Sequence, residues 1–144
     1  MPNGRGGYQR EERPTVIDEV ASRLSSLPNM NSLTADILVE DAEKIGDCLA
    51  NQIRLKTSQI RKFLDAVNRI RAESEGREGY DYRTEVVLLK PKIAYAAGRH
   101  NEVKYLMTVL EPCMSKVTNS SDFQQYSRLV EAIVAYHRYH GGRD

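Results

Sequence analysis

The sequence has no tryptophan, two phenylalanines, two cysteines and three histidines among 144 residues. Each scarcity weakens a class of function. With no tryptophan and only two phenylalanines, a platform for stacking successive bases is weakly supplied. Cys48 and Cys113 stand alone with no CxxC spacing, and read as reduced, buried thiols rather than a disulfide. His137 and His140 are spaced i, i+3, as a metal site on one helix face requires. No third ligand is evident, and His137 falls on an apolar stripe, so a packed core histidine is expected. No glycine-rich loop leads from a strand into a helix, which removes the usual phosphate cradle of nucleotide enzymes. No nucleophile–base pair or metal cluster stands out, so an enzyme is the least supported class, and neither a metal nor another cofactor is expected. No apolar stretch approaches the roughly 20 residues that span a bilayer. The opening "MPNGRGGYQREERP" is polar and lacks the apolar stretch of a signal peptide. A cytoplasmic protein with no membrane partner is expected.

What is present is a chain with 40% hydrophobic residues, enough for one globular domain to bury a core that supports itself. Its formal net charge of +1 hides an uneven distribution. Residues 34–51 carry Asp36, Glu40, Asp41, Glu43 and Asp47 against Lys44 alone. Residues 52–71 carry Arg54, Lys56, Arg61, Lys62, Arg69 and Arg71 against Asp65, and residues 88–99 add Lys90, Lys92 and Arg99 with no acid. A two-sided surface follows, and its basic side suggests a polyanionic partner.

Apolar residues recur at helical spacing and nowhere at sustained strand spacing, which predicts an all-α fold, a compact bundle of five to six helices. Residues 1–14 read as a disordered tail and 15–142 as a single helical domain. Thr15 is placed to cap a first helix whose stripe is Val16, Ile17, Val20, Ala21, Leu24 and Leu27. After "PNMNS", Thr34 caps a second, with Leu38, Ala42, Ile45 and Leu49 on one face. In "TSQIRKFLDAVNRI", Thr57 or Ser58 is the expected N-cap of a third. Ile60, Phe63, Leu64, Val67 and Ile70 make its apolar face, and Ser58, Arg61, Lys62, Asp65 and Arg69 face the other way. A fifth helix opens at Asn101 and runs past an outward Pro112, and a last one spans about Asp122 to His140 before Gly141 and Gly142.

The fourth helical run, residues 84–97, is apolar nearly all round and is expected at the centre of the bundle. It contains "LLKPKIAYAAGR". Pro91 must kink the run or make it end and restart. Lys90 and Lys92 lie about 200° apart on a helical wheel. If the run is buried their stems must snorkel outward, and Gly98 is placed to stop the helix with a left-handed turn that aims Arg99 into solvent. In the third helix, Arg54 and Lys56 precede a helix N-terminus whose free N–H groups favour an anion, and Ser58 and Gln59 could add neutral hydrogen bonds to phosphate oxygens. Contact with a nucleic-acid backbone, indifferent to base identity, suits such a face.

"TSQIRKFLDAVNRI", "LLKPKIAYAAGR" and the ending "FQQYSRLVEAIVAYHRYHGG" together resemble the small subunit of the type III-A CRISPR effector, the Csm complex. The resemblance covers about residues 52–142; residues 1–33 match nothing in that pattern. It implies a small helical protein without catalytic activity, with several copies stacked along a filament beside the backbone and large subunits. It implies partners in target RNA and guide RNA, touched at their phosphates in the channel where the two pair during antiviral defence. Arg54, Lys56, Arg61, Lys62, Arg69, Lys90, Lys92 and Arg99 are the residues expected to make those contacts. The competing reading is a helical adaptor whose partners are proteins alone.

Overall fold

The computed structural model describes residues 14–144, so all of the expected tail but Pro14 lies outside the described residues. Seven helical segments follow one another: α1 (Thr15–Ser25), α2 (Ala35–Cys48), α3 (Thr57–Ser74), α4 (Tyr82–Val87), α5 (Leu89–Arg99), α6 (Val103–Met114) and α7 (Ser120–Tyr139). A 3-10 turn, Met30–Ser32, separates α1 from α2, and a π turn, Leu49–Ile53, extends α2. With α4 and α5 counted as one interrupted helix there are six, and no strand among the described residues. The chain is all-α, as its periodicity predicts.

The stripes bury as spaced. Ile17, Val20 and Leu24 of α1, Leu38, Ala42 and Ile45 of α2, and Ile60, Val67 and Ile70 of α3 all enter one core. Thr34 caps α2, its hydroxyl accepting from the Ile37 N–H. Two other caps differ from expectation. Pro14, not Thr15, precedes α1, and Lys56, not Thr57 or Ser58, precedes α3. In both cases the threonine is already helical, so its hydroxyl cannot reach back to cap the turn.

The central helix is α7. It packs against α2, α3, α6 and both short turns, and buries Phe123, Tyr126, Leu129, Val130, Ile133 and Val134. His137 is fully buried, its Nε2 2.7 Å from the Leu55 carbonyl oxygen, which ties the end of α7 to the α2–α3 connection. Cys48 and Cys113 are free and buried. Burial pushes their thiols up to about 11 and about 12, so both stay protonated and inert. The acids of α2 are exposed except Asp41, which is fully buried and held by two hydrogen bonds from the Arg23 guanidinium, the shorter 2.6 Å.

The run expected at the centre lies at the surface instead. α5 buries Leu89, Ile93 and Ala97, a single stripe directed at α6, while Leu88 is 53% and Tyr95 69% exposed. Alanine and tyrosine count as apolar in a sequence, yet alanine loses little in water and tyrosine has a polar end. Of the two outcomes expected at Pro91, the chain ends and restarts. α4 closes at Leu88, and Pro91 becomes the third residue of α5, where a helix has no partner for the missing N–H. Gly98 does not stop α5; the helix continues through Arg99 and ends at an extended His100. Pro112 also differs from expectation, being half-buried within α6.

Three expectations for stability follow. Ile93→Ala removes a side chain 2% exposed and is expected to lower unfolding free energy by roughly 2–5 kcal/mol. Lys92→Ala, next to it but exposed, is expected to stay within about 0.5 kcal/mol. Gly98→Ala meets nothing within 4 Å of the added methyl, and is expected to raise stability by roughly 0.5–1 kcal/mol through helix propensity. Thermal unfolding of the three variants beside the parent checks the loss, the near-neutral change and the gain.

Candidate nucleic-acid interface

The segments 62–69, "KFLDAVNR", and 92–99, "KIAYAAGR", share one frame: lysine, alanine four residues on, arginine three further. In α3 the stripe is Lys62, Ala66 and Arg69; in α5 it is Lys92, Ala96 and Arg99. An i, i+4, i+7 pattern lies along one face of a helix. In each segment the residue after the lysine, Phe63 or Ile93, turns to the core. The two basic stripes line opposite walls of a groove of about 520 Å³ between α3 and α5, backed by Val103 and Leu106 of α6. The small alanines leave the space between the cations open.

Lys62, Arg69, Lys92 and Arg99 are therefore brought together, all four exposed. Gln59 lines the same groove. Arg54 and Lys56 do not; they line a separate cleft of about 370 Å³ with Arg143 and Asp144. Arg54 takes the left-handed conformation, φ 63°, at the end of the π turn, and the Leu55 N–H donates to the Leu49 carbonyl at 2.8 Å. Arg61 and Lys90 line neither hollow: Arg61 is exposed on another part of α3, and Lys90 is half-buried. The wheel separation of Lys90 from Lys92 anticipates that split.

The N-terminus of α3, expected to be free for an anion, is already in contact with one. The Ser58 N–H donates to the Asp144 carboxylate at 2.8 Å. The chain's last residue thus supplies the negative charge that the helix end favours.

Two groove residues escaped the sequence reading. Tyr95 sits three residues after Lys92 and four before Arg99, on the same face, and the shared frame of the two segments was the signal for it. The Arg99 guanidinium lies 6.0 Å from the Tyr95 ring centroid and donates to its hydroxyl at 3.4 Å. His100 enters because α5 ends there rather than at Gly98. His140 is 3.0 Å from a Glu43 oxygen, on the opposite, acidic side of the sequence pattern.

The family model described as Csm2 Type III-A matches residues 32–143, from the end of the 3-10 turn before α2 to beyond the end of α7. A curated relative, the "CRISPR system Cms protein Csm2" of Streptococcus thermophilus, is 31% identical over 122 residues, which cover 80% of this chain and the whole of the relative. With most of its length matched by one family model and by this relative, the chain belongs to the Csm2 family, the small structural subunit of the type III-A CRISPR Csm complex.

Proposed function

We propose that this subunit holds RNA by its phosphates inside the Csm complex, without taking part in catalysis, and helps to line the channel where target RNA pairs with guide RNA. The observation that carries the reading is the α3–α5 groove, with a lysine and an arginine on each wall. Among the described residues none of these four cations is in an ion pair, so their charge is available to a polyanion. His137 is tied to the Leu55 carbonyl through Nε2, and both cysteines are free and buried. Among the described residues no helix is long and apolar enough to cross a membrane, which agrees with a cytoplasmic assembly. Contact with neighbouring subunits, and with further copies along a filament, falls to other surfaces, on which Val39 and Tyr139 are 46% and 75% exposed.

The test is a titration of the full chain with single-stranded RNA across salt concentrations from about 50 to 200 mM. Phosphate binding makes log K fall linearly with log salt, by about 0.7 for each phosphate neutralised on a single strand. Absent binding, or binding indifferent to salt, would falsify the reading and favour the adaptor with protein partners alone.

A further inference from the structure

Phosphate contact leaves three features of the α3–α5 groove without a use. Its floor is apolar, built from Phe63, Ile93 and Leu106. Asp65 lines it three residues after Lys62, and among the described residues it is in no ion pair. Tyr95 stands at its edge, 69% exposed. A phosphate gains nothing from an apolar floor and is repelled by a carboxylate. A nucleotide with its base unpaired uses all three features. It offers a flat ring, N–H and hydroxyl donors on base and ribose, and phosphates on either side. The Tyr95 ring also has a neighbour that orients it. Arg99, one turn along, lies 6.0 Å from its centroid and donates to its hydroxyl at 3.4 Å, contacts that favour one orientation of the ring.

We infer that the α3–α5 groove is a nucleobase pocket, in which an unpaired RNA base stacks on Tyr95 while Asp65 accepts a hydrogen bond from the base or ribose and the flanking cations hold the adjoining phosphates. The inference rests on the RNA reading of the same groove. It changes the expected ligand from backbone alone to backbone with an exposed base. Base identity is read weakly, since every base offers a π-face.

The experiment compares two labelled oligomers of equal length and phosphate number, one an ordinary single-stranded RNA and one with its bases replaced by abasic sites. The full chain is titrated with each as the parent, Tyr95→Phe and Tyr95→Ala. The parent is expected to bind the base-bearing RNA roughly ten-fold more tightly than the abasic chain. Tyr95→Phe keeps that preference, and Tyr95→Ala loses it while holding the abasic chain as the parent does. The salt slope is the same for all three, because no charge changes. Tyr95 is exposed, so matched thermal unfolding of the variants is expected. Equal binding of both oligomers by the parent, or a preference that survives in Tyr95→Ala, overturns the base pocket while phosphate binding stands. Failure of the parent to bind either oligomer in a salt-dependent way overturns both readings and assigns the groove to a protein neighbour.

Discussion

Replacing Lys62, Arg69, Lys92 and Arg99 together by alanine is expected to leave a folded protein whose RNA affinity at about 50 mM salt falls on the order of a thousand-fold, with a salt slope shallower by about 3. Each cation that neutralises a phosphate releases close to 0.7 of a counterion from a single strand, and four such contacts combine. The fold should tolerate the change. All four side chains are exposed, alanine is the best helix former, and the buried stripes of α3 and α5 are untouched. The paired control is Arg61→Ala with Lys90→Ala, two cations outside the groove. It removes half as many charges and is expected to shift the slope by much less than half as much. If the control loses as much per charge as the groove variant, RNA is held by a diffuse basic face and the groove is no site.

Gly46→Ala is expected to cost about 3 kcal/mol and to lower the melting temperature by roughly 10 °C. A Cβ at Gly46 would lie 2.7 Å from the His137 nitrogen and from the Tyr136 Cβ, and 2.9 Å from the Tyr136 carbonyl carbon. Two of these are backbone atoms of α7 and the third is bonded to it, so no rotamer change relieves the overlap and the two helices must separate. The separation spreads, because His137, whose backbone nitrogen faces Gly46, also holds the Leu55 carbonyl through its ring across the α2–α3 connection. Gly98→Ala, the same substitution in an open position, is expected to change stability in the opposite direction. Thermal unfolding of the two variants side by side separates close packing from glycine's intrinsic helix cost. A Gly46→Ala protein that melts with the parent would mean that α2 and α7 have room between them, and the argument for their close approach would fail.

Much of the fold is written in local pattern. The stripes of α1, α2 and α3, the Thr34 cap and the buried His137 all follow from 3.6-residue periodicity, because a helix shows which face it must bury before it meets a partner. The residues of the three motifs, taken in their order, point to the Csm small-subunit family. Local pattern misplaces α5. Counting Ala94, Ala96 and Tyr95 as apolar made the run look central, whereas α7, with its longer stripe of large side chains, fills that position and leaves α5 a single buried edge. Contacts between residues far apart in the chain lie outside any local pattern. Asp144 reaches the start of α3 from 86 positions away, and Arg23 covers Asp41 from 18. The basic residues show the division most plainly. Their charges, and the opposed faces of Lys90 and Lys92, are determined by sequence, because charge is intrinsic and wheel angle is local. That Lys62, Arg69, Lys92 and Arg99 share one groove, while Arg54 and Lys56 line another and Arg61 and Lys90 stand apart, was decided by how α3 packs beside α5. A groove between two helices exists only after their buried stripes have set the distance between them.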